Sequence, residues 1–280
     1  MVYDSDVREA NVTGLETATP LVEYGAASPG AFVVPTNVKK ITELRFTAGM
    51  SCADDTAFGF LTAFHIYGGG VDLKEGWFPG PRGISAAIAA ASGDRIGNFT
   101  QKYLTNIPVL PGGQFTIDAF MLGEDVGALQ MLADVVYDGP VAGRIRDMDY
   151  RSIDLASANT PVTLTERGAA VVEGDIRPPY DVIGELHIGA GATITAGTTT
   201  VAGVTFELSG AGLMTAGNYR FLDALTWGGS TELAANTKIF PLERYICGIK
   251  VKRNNPIRVQ AQMIEGDIGT AYSQCGFAYY

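Results

Sequence analysis

Histidine and cysteine are nearly absent from this chain, and neither occurs at the spacing that chemistry needs. Of 280 residues, two are histidine (His65, His187) and three are cysteine (Cys52, Cys247, Cys275). An odd cysteine count without a Cys-X-X-Cys pair argues against a disulfide framework and a zinc cluster, so the thiols read as buried small hydrophobes. The His-X-His pair with a carboxylate that marks a cupin-type metal site is missing, and both histidines read as structural. There is no Gly-X-Ser-X-Gly elbow. Gly68-Gly69-Gly70 lacks the Lys-Ser/Thr of a phosphate loop and reads as a tight strand end. No catalytic and no cofactor-binding residue is therefore nominated, no cofactor is expected, and the chain is expected to have no enzymatic activity.

Positive charge is also scarce. Twenty Lys and Arg stand against thirty Asp and Glu, giving −10 and a pI near 4.7. Binding to nucleic acid rests on clustered Lys and Arg, and neither end of the chain carries a basic arm, so no direct nucleic-acid contact is expected. The one tight basic group, Lys250, Lys252 and Arg253, falls at a hairpin end and reads as a solvated turn, or else as a contact for an acidic neighbour or a lipid headgroup. Long apolar runs are missing too. Ile84–Ala91 is far short of the roughly 20 residues that span a bilayer, and Met1–Asp6 has neither a charged nor an apolar leader segment. The chain is expected to be soluble, without a secretory signal, and not to cross a membrane. Asn11-Val12-Thr13 and Asn98-Phe99-Thr100 fit a glycosylation acceptor, a common triplet that carries little without a secretory context. Metal binding stays open. Asp54-Asp55, Glu124-Asp125 and Glu265 with Asp267 offer hard oxygen ligands in loops, but no twelve-residue calcium loop surrounds them, and solvated loops are the plainer reading.

What is plentiful is turn and strand chemistry. Hydrophobic residues make up 46%, aromatics 10% and charged residues only 18%, which excludes disorder. Glycine accounts for 35 residues with no Gly-X-Y period, amid abundant Val, Ile, Thr, Phe and Tyr. This predicts an all-β chain of many strands and turns.

The strands repeat. Lys102–Asp138 aligns on Arg244–Tyr280 without a gap. Identical pairs are Tyr103/Tyr245, Ile107/Ile249, Val109/Val251, Ala119/Ala261, Met121/Met263, Asp125/Asp267, Gly127/Gly269 and Tyr137/Tyr279. Alternation by two puts Phe115, Ile117, Ala119 and Met121 on one core face, and Ile257, Val259, Ala261 and Met263 on the other. Phe120, on the outward side, is expected to face a neighbouring barrel or subunit. Upstream, at a larger spacing, Ile41-Thr42 falls on Val204-Thr205 and Phe58–Tyr67 on Tyr219–Trp227. Short helices are expected at Ile84–Ala91 and Ser230–Asn236, and Gly189–Gly197 reads as a strand pair with a tight turn. The halves divide near Asp138–Arg151, as units 1–140 and 141–280.

Two tandem β units, each with a short helix before its last three strands, resemble the double jelly-roll major capsid proteins of tailless icosahedral viruses, often those with an internal membrane. The resemblance rests on the paired segments Tyr103–Asp138 and Tyr245–Tyr280, with Phe58–Tyr67, Tyr219–Trp227 and the helix patches. It implies two tandem jelly-roll β-sandwiches with one short helix in each, and a homotrimer that forms a pseudo-hexagonal block. Implied partners are lattice neighbours, minor capsid or vertex proteins, and an internal lipid membrane where one exists. The implied location is the virion, assembled in the host cytoplasm. The alternative is a β-rich adhesin, spike or filament subunit. A carbohydrate-active enzyme ranks third, because no acidic pair stands out in the sequence.

Overall fold

The computed structural model describes residues 4–280 apart from 15, 24–29, 52–57, 61, 82, 86–94, 122–128, 156–158, 167–173, 195–200, 215–218, 227–241 and 264–267. All regular elements among the described residues are strands. The first half contributes β1 (Asp4–Val12), β2 (Thr19–Pro20), β3 (Val22–Glu23), β4 (Phe32–Val33), β5 (Lys40–Ser51) and β6 (Phe58–Phe60). It continues with β7 (Thr62–Tyr67), β8 (Trp77–Pro79), β9 (Gly83–Ser85), β10 (Arg95–Pro108), β11 (Gln114–Met121) and β12 (Leu129–Tyr137). The second half has β13 (Asp147–Leu155), β14 (Val162–Thr163), β15 (Asp175–Ile176), β16 (Val182–Ile194) and β17 (Val201–Ser209). Its remaining strands are β18 (Tyr219–Thr226), β19 (Leu242–Lys250), β20 (Ile257–Met263) and β21 (Ile268–Tyr279).

These strands build sandwich-like layers of antiparallel sheets. In the first half, β10-β5-β12-β1-β3 faces β2-β11-β7-β8, with β4 also on β11. In the second, β13-β21-β16-β19 faces β14-β20-β17-β18, with β15 also on β20. A small β6-β9 ladder stands apart. Each sandwich has its own apolar core, the first around Phe46, Phe64, Phe78 and Tyr103, the second around Phe206, Ile188 and Phe277. The eight alternating residues expected inside, Phe115 to Met121 and Ile257 to Met263, are all buried. Phe120 points outward from the first core, 5.0 Å from the Trp77 ring, and clusters with Tyr150 of the second sandwich.

The downstream repeat corresponds strand for strand: β10, β11 and β12 occupy the sheet positions of β19, β20 and β21. The upstream alignment needs correction. β5 lies between β10 and β12 as β16 lies between β19 and β21, so Ile41-Thr42 corresponds to β16, one strand earlier than Val204-Thr205. By the same order Phe58–Tyr67 matches β17 and not Tyr219–Trp227. Similar Phe-Leu patterns misled because alternation alone does not distinguish one strand of a sandwich from the next. Two glycines set the true register. Gly68 and Gly210 share left-handed φ values of 133° and 125°. A Cβ at either would lie 2.8 Å from the carbonyl of Gln114 or Pro256 respectively. The first strands also match. Asp4 pairs with Tyr137 and Asp147 with Tyr279, which superposes Asp4-Ser5-Asp6-Val7-Arg8 on Asp147-Met148-Asp149-Tyr150-Arg151. Both read Asp-X-Asp-X-Arg, and in both the arginine binds the second aspartate, at 3.2 Å for Arg8–Asp6 and 2.9 Å for Arg151–Asp149.

The expected helices are not observed. Ile84 and Ser85 belong to β9, while the rest of that patch and all of Ser230–Asn236 lie outside the described residues. The strand pair expected at Gly189–Gly197 is also corrected: its part up to Ile194 belongs to β16, which does not pair with β17, and residues 195–197 lie outside the described residues. Backbone pairing forces this, since β16 is already flanked by β19 and β21.

Replacing Ile117 or Val259 by Asp should abolish folding, because an unpaired charge in a dry core costs many kcal/mol. Replacing either by Ala should cost about 2–4 kcal/mol. Soluble expression and chemical denaturation would check both; a soluble, cooperatively folding Asp variant would contradict the core assignment.

Candidate functional site

The two sandwiches meet where β13 crosses the outer face of the β2-β11-β7-β8 sheet, and the densest polar chemistry among the described residues lies there. Alternation in β7 and β11 sends Phe64, Ile66, Ile117 and Ala119 inward and leaves Ala63, His65, Tyr67, Asp118 and Phe120 on the outer face. Tyr150 covers part of that face, in one cluster with Ala63, Trp77 and Phe120, and its hydroxyl donates to Gln274 Oε1 at 2.6 Å. Strand β21 comes in equally close: a Cβ on Gly276 would sit 2.7 Å from the Pro79 ring.

Asp147 fastens this contact. Its carboxylate is fully buried and accepts backbone N–H groups from Lys74 (2.7 Å), Glu75 (3.1 Å), Gly76 (2.9 Å) and Met148 (2.8 Å). Three of these donors belong to the loop of the first sandwich, so one side chain of the second sandwich satisfies backbone groups that would otherwise be orphaned. Gly76 permits the turn, with φ 72° and Ile66 O where a Cβ would stand. Burial raises the Asp147 carboxyl, and the four N–H bonds oppose that rise.

Next to this clamp lies an acidic cluster served by one cation. Asp149, fully buried, accepts Arg151 Nε and Nη2 at 3.1 and 2.9 Å, and Arg151 Nη1 reaches Glu166 at 3.5 Å. Burial pushes Asp149 up to about 6 against the pull of Arg151. Glu75 is pushed further, to about 8, by burial and then by the negative charges of Asp149 and Asp147. Held at about 8, this carboxyl keeps its proton at neutral pH beside Asp149, which is raised only to about 6, the division of roles that proton transfer uses.

A cleft of about 480 Å³ opens beside the cluster, lined by Glu16, Ala18, His65, Tyr67, Lys74, Glu75, Trp77, Asp118, Phe120 and Glu166. Three rings form a stack in it: His65 lies 4.3 Å from Trp77 at 5° and 4.9 Å from Tyr67. Burial lowers the His65 pKa against a hydrogen bond to the Glu75 backbone, which favours a neutral ring. Asp118 is 7% exposed; its Oδ2 accepts the Tyr67 hydroxyl at 3.1 Å, while its buried Oδ1 has no hydrogen-bond partner. Burial raises this carboxyl as well.

The second histidine belongs to another network. Glu185 accepts from His187 at 3.0 Å, from Arg244 twice at 2.6 Å and from Tyr280 at 2.7 Å. Burial would raise Glu185, but these donors overcome it and hold the carboxyl far below the usual range. Of the basic turn, Arg253 pairs with exposed Asp181 at 2.6 Å. Cys275 is buried and Cys247 half-buried, while Cys52, Asp54-Asp55, Glu124-Asp125 and Glu265 with Asp267 lie outside the described residues. Among the described residues no group of three or more His, Cys, Asp or Glu is arranged to hold a metal ion. No helix among them is long and apolar enough to cross a membrane.

The sequence reading passed over Glu75, Asp118, Asp147, Asp149 and Glu166 because they are scattered along the chain. The Asp-X-Asp-X-Arg motif, present twice, was the available signal.

No family model and no curated protein matches this chain. Solved structures similar to it include PNGF-II, at 11% identity and TM-score 0.45, covering 99% of this chain and 66% of that one. The chain thus spans just under two thirds of that protein's length. A second is PNGase F, a glycosylasparaginase from Flavobacterium meningosepticum, at 12% identity and TM-score 0.38, with 97% and 96% covered. A third is the empty top component of cowpea mosaic virus, at 10% identity and TM-score 0.33, with 99% and 89% covered. A glycosylasparaginase is among these structures, and the expectation of a chain without enzymatic activity is withdrawn.

Because the fold raises Glu75 to about 8, the folded state binds this proton more tightly than the unfolded chain. Its contribution is therefore full at acid pH and is lost as pH rises through about 8. Melting temperature should fall between about pH 5 and 8 and level off above, and Glu75→Gln should flatten that fall. Asp147→Ala should cost about 2–4 kcal/mol through the unsatisfied amides it leaves. Thermal scans across pH check the first and denaturant titration the second; an unchanged pH slope in Glu75→Gln would refute the assignment.

Proposed function

We propose that the chain is a major capsid protein: two tandem jelly rolls, residues 1–140 and 141–280, that trimerise into a pseudo-hexagonal block of an icosahedral shell. The observation that carries this reading is strand order. Taking β14 and β15 as one strand, the second sandwich sets its first, eighth, third and sixth strands against its second, seventh, fourth and fifth. The first sandwich follows the same order, counting β2 with β4 as one strand and β1, β5, β7, β8, β10, β11 and β12 as the others. This order supports reading each unit as a jelly roll, eight strands in two interlocked Greek keys.

The trimer is supported by surfaces that the chain leaves open. Tyr150 seals the junction between the sandwiches, and its counterpart on β1 is Val7, which is 49% exposed. The outer face of the second sandwich, counterpart of the one that receives Tyr150, holds a groove of about 310 Å³ lined by Thr205, Glu207, Gln260 and Gln262 among others. Repeating the internal contact from copy to copy is a head-to-tail association, which closes into a ring when the rotation permits. Three copies would supply six sandwiches. Lattice neighbours, minor capsid or vertex proteins and an internal membrane are the partners this reading implies, and the virion is the location. With ten more acidic than basic residues, direct nucleic-acid contact is not part of it.

Light scattering and negative-stain imaging of purified protein test the proposal. Compact trimers or hexagonal blocks are expected, and Val7→Glu should release folded monomers. A monodisperse monomer at high concentration, elongated filaments, or salt-sensitive DNA binding at micromolar protein would overturn it.

A further inference from the structure

The cleft between the sandwiches is lined by more acidic than basic side chains. Glu16, Glu75, Asp118 and Glu166 line it, with Lys74 as its one basic residue among them, and Lys74 is drawn toward Asp72 at 3.5 Å. Arg151 binds Glu166 from beneath but is already taken up by Asp149. Acidity alone would mean little on an acidic protein. The second observation is Asp118: 7% exposed, Tyr67 hydroxyl on one oxygen, and no partner for the other. A buried carboxylate oxygen without a donor is costly, and a cationic donor is the partner that repays it best. Beside it the stacked Tyr67, His65 and Trp77 rings give the cleft an aromatic side along which an alkyl stem can lie.

The fold does not require these side chains. By the register of the two sandwiches, Asp118 corresponds to Gln260 and His65 to Glu207, in the groove of the second sandwich. The same architecture is thus built with an amide at the position where the first sandwich buries an unpaired acid.

We infer that the cleft binds an alkylammonium or guanidinium group, such as that of a lysine or arginine side chain, with Asp118 as the anchoring carboxylate and the Tyr67–His65–Trp77 stack along the stem. This does not depend on the capsid reading, since the cleft is formed within one chain. A cation arriving there would displace the proton that burial and neighbouring charge hold on Glu75.

Isothermal titration calorimetry of the full chain with N-acetyl-arginine amide and N-acetyl-lysine amide tests this, with the uncharged N-acetyl-citrulline amide as control. Saturable binding of a cationic probe is expected, at least tenfold tighter than citrulline. The enthalpy should vary with buffer ionisation heat, which reports proton release. Asp118→Asn should weaken binding at least tenfold, and Glu166→Gln, at the cleft rim, should weaken it severalfold if the first variant folds poorly. Affinity should fall as pH drops from 8 to 5. Equal binding of citrulline, tighter binding of chito-oligosaccharides or Ca²⁺ than of either cation, or full affinity in folded Asp118→Asn would overturn the inference. Binding of the arginine or lysine probe by a preparation that scatters as monomer would leave the cleft assignment standing while the shell reading fails.

Discussion

A single carboxylate determines how the two halves of this molecule meet. Asp147 is the first residue of its strand and sits in a position without solvent, where a carboxyl group is tolerated only if its oxygens find donors. The donors come from three consecutive peptide groups of the other sandwich and from its own neighbour. The loop at Lys74–Gly76 is thereby given its course by a residue about seventy positions away, and the loop in turn places Glu75 against the acidic cluster and Trp77 under Tyr150. Remove the clamp and the amides, the raised acid and the aromatic seal are all affected together.

Much of the architecture was legible because sandwich strands announce themselves. Period-two alternation with turn residues between runs located β11, β12, β20 and β21, and the eight alternating core residues proved buried. The gapless repeat worked where turns matched in length. It failed upstream because strands of like composition were matched one place out of order, although the register that sets His65 on Glu207 keeps the downstream spacing. Only pairing partners, which a linear pattern does not contain, restore the order.

The site was much less legible, for a different reason. Glu75 and Glu166 lie far apart in the chain, Asp118 is a lone acid in a hydrophobic strand, and nothing in the spacing of either implies a common cleft. The unusual protonation of Glu75 comes from burial and from neighbouring carboxylates, both tertiary properties. The Asp-X-Asp-X-Arg pair was the exception, since it was readable from sequence as a motif occurring once at the head of each unit. It escaped because the repeat was traced from the downstream strands and not carried back to Asp4.

The placement of β21 has a further consequence, for the order in which the chain can become structured during synthesis. β21 lies between β13 and β16, so the central position in that sheet is filled by the strand made last of those present here. Until it emerges, β13 and β16 have no partner between them, and Asp147 has no sheet to hold it against the loop of the first sandwich. The first sandwich faces the same wait, but for β12, which is complete at Tyr137. A ribosome would therefore release one closed sandwich well before the other, with the outer face that takes Tyr150 still bare. Long-range closure of this kind is slow and leaves apolar surface open in the interval. The nascent molecule is then most adhesive on the face that the finished chain covers with its own second half.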